Sequence, residues 1–126
     1  MSGISEAEFK VPTPIGGRLP TPAIFNNVEE ERRDRKRRLA AAFRILARFG
    51  LTEGIAGHIT VRDPEFPDRS WVNQYAQHFS TIRPDDLICI DDTGAVHYGT
   101  GPVNAAAVAI HCGIHSANPA AIAAVH

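Results

Sequence analysis

Histidine is the residue type through which this chain could do chemistry. Its 126 residues hold six: His58, His78, His97, His111, His115 and His126. His126 follows the apolar run Asn118-Pro119-Ala120-Ala121-Ile122-Ala123-Ala124-Val125, which reads as a strand. A histidine at the end of a buried strand is well placed to ligate a metal, but a catalytic zinc normally takes three protein ligands and a water. His111 and His115 are four residues apart and share one helix face. That spacing can chelate a metal when a glutamate lies between, as in H-E-x-x-H enzymes. Here the intervening residues are Cys112, Gly113 and Ile114. His58 follows the glycine-punctuated turn Gly54-x-x-Gly57, where backbone amides could point at an anion or carboxylate. His97 falls on a hairpin and is assigned no role. Cys89 and Cys112 sit in apolar neighbourhoods and read as reduced, buried thiols.

The elements that must position these groups follow from the rest of the chain. Hydrophobic residues make up 44%, charged residues 21%, and the net charge is -1, which fits one globular domain and lacks the basic excess of a nucleic-acid binder. No run approaches the roughly 18 apolar residues that span a bilayer. The segment Met1–Lys10 lacks the basic and apolar regions of a signal peptide. A soluble, cytoplasmic protein with no membrane span is expected. Residues 1–27 carry Pro12, Pro14, Pro20, Pro22, Gly16 and Gly17 without periodicity, and read as an extended arm. Residues 28–126 then form the domain.

A helix is predicted over residues 28–49. Asn27 caps it, Glu30 gives a capping-box spacing, and Gly50 stops it. Leu39, Ala42, Phe43, Leu46 and Phe49 form its apolar stripe. Arg32 to Arg38 has six basic residues in seven. A solvated face paired as Glu29–Arg33 and Glu31–Arg35 accounts for it, against an import signal or nucleic-acid patch. A second helix over 104–117 starts at Asn104. Strands are expected at 57–62, 70–73, 86–91 and 121–125 in one sheet, with a hairpin turn at Asp92-Thr93-Gly94. Alternating strands and helices point to an α/β or α+β sheet with helices packed against it.

Several stretches, in order, resemble the class II aldolase/adducin family, in its adducin-like fungal and bacterial subgroup. They are Leu39-Ala40-Ala41-Ala42-Phe43-Arg44-Ile45-Leu46; Gly50 through Gly57-His58-Ile59-Thr60-Val61-Arg62-Asp63-Pro64; Trp71-Val72-Asn73; Asp85 through Asp91; Asn104 through His111; and Ala123-Ala124-Val125-His126. The resemblance covers about residues 30–126 and leaves the arm outside. It implies a three-layer α/β/α fold. In the enzymatic members it implies zinc or another divalent cation, held by a His-x-His pair at a strand end and a distant third His, acting as a Lewis acid on a carbonyl oxygen.

Carried over residue by residue, His126 matches the first His of that pair. The other two ligands would lie beyond residue 126, so an incomplete domain, truncated at its C-terminus, is expected. The acid/base glutamate of sugar-phosphate aldolases falls at Ala107. The hydroxyl residues that grip phosphate fall at Ala105 and Ala106, the Thr-Gly contact near Tyr75-Ala76, and the Gly-Asn pair at Gly57-His58. Gly57, His58, Asn73 and His111 are the expected substrate-binding residues, converging with His126 on one cleft. The expectation is a lyase or epimerase relative for a small carbonyl or sugar-like substrate, without sugar-phosphate aldolase activity of its own. The alternatives are an adducin-head-like interaction module, or a metal lyase completed by another chain, for instance in a homo-oligomer.

Overall fold

A computed structural model describes residues 16, 17 and 21–126. Most of the expected arm, residues 1–15 and 18–20, lies outside the described residues, and residues 21–27 carry no helix or strand. The first element is α1, Val28–Arg48. Asn27 caps it, its side chain accepting the Glu30 amide, and Glu29, Glu30 and Glu31 face the positive end of the helix dipole. At the other end the Leu51 amide donates to the Leu46 carbonyl at 2.9 Å while Gly50 takes a φ of 72°, the left-handed cap that favours glycine.

The strands are β1 Ile59–Arg62, β2 Arg69–Val72, β3 Ile88–Asp91, β4 Val96–Tyr98 and β5 Ala123–Val125. They form one sheet in the order β4-β3-β2-β1-β5, and every pairing is antiparallel. The chain reaches β5 through a helical crossover: α2 (Ala105–Ala107), a π-helical stretch (Val108–Cys112) and α3 (Gly113–Ala117). The expected single helix over 104–117 is therefore helical throughout, but its middle turn is widened.

Side chains alternate across each strand, and this splits the core in two. Leu39, Ala40 and Phe43 of α1 pack on Ile59, Val61, Trp71 and Cys89. On the other side Ala107 and Cys112 pack on Val72, Ile88 and Ile90. The result is the three-layer α/β/α arrangement that the resemblance implies. Among the described residues no helix is long and apolar enough to cross a membrane. Cys89 and Cys112 are free and buried, each thiol pushed up by burial, that of Cys89 to about 11.

Some details differ from expectation. Phe49 is 75% exposed, because α1 ends at Arg48 and the buried stripe runs through Leu39, Ala40 and Phe43. Glu29 pairs with Arg32 rather than Arg33, whereas Glu31–Arg35 forms at 2.5 Å. Arg32 turns inward because Asp63 needs it: Arg32 Nε donates to Asp63 at 2.8 Å. The third strand starts at Ile88, since Pro84–Asp86 forms a 3-10 turn closed by the Asp86 carboxylate on the Arg83 amide.

Candidate functional site

The site grows from one register. Ile59 pairs with Val125 and Thr60 with Ala124, so His58 stands opposite His126. Their backbones exchange both hydrogen bonds, each 2.8 Å. Alternation then sends the side chains of His58, Thr60, Ala124 and His126 to the face covered by α2 and α3. His111 reaches the same place from the π-helical turn. The ring centroids lie 5.7 Å apart for His58 and His111, 6.0 Å for His58 and His126, and 6.5 Å for His111 and His126. Gly57 precedes this group at a φ of 95°, and a Cβ there would meet the Phe79 ring at 3.1 Å and the His126 carbonyl at 3.6 Å. The backbone angle favours glycine, and the Phe79 ring would have to give way to a Cβ.

The group is buried yet short of partners. His58 is 4% exposed and His111 fully buried. Both ring nitrogens of His58, and Nε2 of His111, have no hydrogen-bond partner among the described residues. Burial pushes the His58 pKa down, helped by His126 nearby. Burial, with His58, His115 and His126 adding to it, pushes that of His111 to about 4. Both rings are therefore neutral at pH 7. Buried polar groups left unpaired cost stability; here they gather at one end of the sheet.

Behind them is a set of contacts the sequence reading did not assign. Thr60 Oγ1 lies 2.8 Å from His111 Nδ1 and 2.8 Å from His115 Nε2. His115 Nδ1 lies 3.2 Å from the Ala121 carbonyl. Arg62 closes the far side, donating to the carbonyls of His115 at 2.7 Å, Asn118 at 3.1 Å and Ala121 at 3.1 Å. Thus His111 and His115 converge on a hydroxyl rather than on a shared ion. The signal was available: Thr60 and Arg62 follow His58 at spacings of two and four, which place all three on one face of a strand.

The other expected residues are placed as follows. Asn73 follows β2, is 8% exposed, keeps Oδ1 without a partner, and makes no hydrogen bond to the histidines. Ala107 is fully buried against Val72, Ile88 and Ile90, while Ala105 and Ala106 are exposed. His78 is remote from the group in its contacts, bonding Ser80, and His97 pairs with Asp91 at 2.7 Å. A separate cleft of about 400 Å³ opens on the α1 side between Arg32, Lys36, Arg69, Trp71 and Tyr98, and it contains none of the clustered histidines. Imidazole nitrogens without partners suit a divalent metal in kind. Among the described residues, however, no group of three His, Cys, Asp or Glu side chains is placed to hold one.

Comparison with known proteins identifies the fold's family. Residues 37–126 match the Class II Aldolase and Adducin N-terminal domain, and the chain belongs to that family. It is 45% identical over 107 residues to the decarboxylase NovR of Streptomyces niveus, covering 83% of this chain and 40% of that protein. It is also 45% identical over 107 residues to a 4-hydroxy-3-prenylphenylpyruvate oxygenase/4-hydroxy-3-prenylbenzoate synthase of Streptomyces roseochromogenus subsp. oscitans, covering 83% and 39%. Among solved structures it resembles an L-fuculose 1-phosphate aldolase from Glaciozyma antarctica, with a TM-score of 0.81, 41% identity, and coverage of 84% of this chain and 44% of that one. The chain thus spans about 40% of the length of the curated relatives it matches.

Proposed function

We propose that the chain provides one part of a carbon–carbon lyase of the class II aldolase type, acting on a small carbonyl compound, and that alone it does not cleave sugar phosphates. Ala107 carries this reading. The position that the resemblance reserves for an acid/base glutamate is a methyl group, fully buried among Val72, Ile88 and Ile90. Without that carboxylate, the proton transfer of aldol cleavage loses the acid/base the resemblance assigns to it. Ala105 and Ala106 present methyl groups where hydroxyls would grip phosphate. The decarboxylase and phenylpyruvate names of two relatives favour a carboxylate-bearing carbonyl substrate. The likeness to a fuculose 1-phosphate aldolase makes that sugar phosphate the comparison compound.

In this reading Gly57 lets the substrate approach the backbone, and His58, Asn73 and His111 offer their unpaired nitrogen and oxygen atoms to its polar groups. For zinc or another divalent cation, the chain supplies His126 as its one family ligand. The test is metal content after dialysis, with assays on fuculose 1-phosphate and on an aryl α-keto acid. Expected are substoichiometric zinc and no aldol cleavage. Stoichiometric zinc kept by the wild type and lost in His126→Ala, or cleavage of the sugar phosphate, would overturn the reading.

A second reading, completion of the site by another copy of the chain, is favoured by β5. Among the described residues it pairs only with β1, and Ile122 and Val125 are 54% and 69% exposed. Such an edge can take a further strand from the same protein or from another chain. Sedimentation would show association that weakens when Val125 is replaced by Lys.

A further inference from the structure

Thr60 stands between two imidazoles, and a hydroxyl has one proton to give. It lies 2.8 Å from His111 Nδ1 and 2.8 Å from His115 Nε2, so it donates to one ring and accepts from the other. The direction is set at the far end of the chain of contacts. His115 Nδ1 faces two groups, the Ala121 carbonyl at 3.2 Å and Arg62 Nη2 at 3.3 Å. Arg62 Nη2 has two protons, and two carbonyls receive them, those of His115 at 2.7 Å and Asn118 at 3.1 Å. None remains for His115, whereas the Ala121 carbonyl can only accept. His115 therefore carries its proton on Nδ1 and donates it to Ala121. Its Nε2 is bare and accepts from the Thr60 hydroxyl. Thr60 Oγ1 in turn accepts from His111, which must carry its proton on Nδ1.

We propose that Thr60 and His115 are positioning residues that lock His111 in the Nδ1–H tautomer, so that its buried, unpartnered Nε2 holds a lone pair beside His58 and His126 as the acceptor for a substrate O–H. One further argument agrees with this direction: the opposite arrangement would leave an N–H of His111 buried and unpaired, a full donor desolvated for nothing. The lock operates at constant charge, since both rings stay neutral and only the position of each proton is fixed. Among the described residues no Asp or Glu hydrogen-bonds to Thr60 or to either ring; the charges that reach His115 are those of Arg62 and Asp92.

Use of that lone pair on a substrate rests on the lyase reading; the tautomer does not. The experiment is therefore spectroscopic. The full chain is labelled with 15N-histidine, and two-bond 1H–15N correlations are recorded near pH 7 for wild type, Thr60→Ser and Thr60→Val. In wild type, His111 Nδ1 should resonate as a protonated nitrogen and Nε2 as a bare one, and His115 likewise. Thr60→Ser keeps the hydroxyl and should keep both patterns. Thr60→Val removes it, and His111 should shift towards the Nε2–H form. A wild-type His111 protonated on Nε2 overturns the proposal, and needs no variant to fold. So does an unchanged Nδ1–H pattern in a folded Thr60→Val protein. Failure of the assays on fuculose 1-phosphate or the keto acid leaves these spectra as they are, so the two ideas fail separately.

Discussion

A buried carboxylate on one face of the sheet and two buried imidazoles on the other are treated in opposite ways. On the α1 face, Asp63 is 3% exposed and saturated. It accepts from Arg32 Nε at 2.8 Å and Nη2 at 3.1 Å, from Trp71 Nε1 at 2.8 Å, and from the amides of Glu65 at 2.9 Å and Phe66 at 3.1 Å. Burial alone would raise its pKa, but these donors outweigh it and hold the carboxyl at about 2. On the α2–α3 face, His58 and His111 are as deeply buried and keep ring nitrogens without partners. A fold that can satisfy a buried carboxylate five times over does not leave imidazoles bare for want of donors. The first face is built to hold the domain together, and the second holds groups in reserve.

Mutation should expose this asymmetry. The largest effect belongs to Asp63→Ala, which takes from Arg32 its buried partner, leaving it Glu29 and Glu65, and strands the Trp71 indole and two backbone amides; a loss of about 3 kcal/mol is expected in urea denaturation, the low end for a broken buried ion pair. Should it cost less than about 1 kcal/mol, the α1 face is not the stabilising one.

Acid comes next, and separates the faces by pH. The folded His111 pKa is depressed from 6.5 to about 4, so between those values the unfolded chain binds more protons. Its contribution is complete above pH 6.5 and is lost as pH falls towards 4; a shift of that size corresponds to up to about 3 kcal/mol. His58 and His115 are depressed in the same sense. Asp63, depressed from 3.8 to about 2, loses its contribution only below pH 4. Thermal melting against pH should therefore fall in two stages, and His111→Gln should remove part of the first while leaving the second. A single fall confined to below pH 4 would contradict this ordering.

His58→Leu reverses the sign. It replaces an unpaired buried ring by an apolar side chain, so stability should hold or rise by up to about 1 kcal/mol. A loss above 2 kcal/mol would mean that the ring is part of the scaffold. The smallest effect is expected for Lys36→Met. Lys36 Nζ lies 4.3 Å from the Trp71 ring centroid and 5.2 Å from that of Tyr98. Removing this half-exposed cation–π contact should cost about 0.5–1 kcal/mol.

The same asymmetry governs what could be read from residues alone. Both ends of α1 are announced by local chemistry, Asn27 at one and Gly50 at the other, and lie within a residue of expectation. The strands follow from alternation and glycine or proline punctuation. The inward turn of Arg32 was not legible, because its reason, Asp63, sits 31 residues away. Nor was the register of β5 on β1, a long-range pairing with no local signature. The histidines stood out by type; Thr60 was marked only by its spacing of two from His58, and a threonine in a strand is ordinary until two rings are found on its hydroxyl. The π-helical turn that carries His111 has no sequence signature in Val108-Ala109-Ile110-His111-Cys112.

The reciprocal pair of hydrogen bonds between His58 and His126 also bears on how the molecule is made. Neighbouring hairpins such as β1–β2 and β3–β4 close short loops, and α1 needs only its own turns. Joining β5 to β1 closes a loop over most of the domain, and loop-closure entropy rises with length. Non-local pairings of this kind slow folding. The histidine cluster thus lies on the sheet's pairing of longest range, where closure costs the most chain entropy.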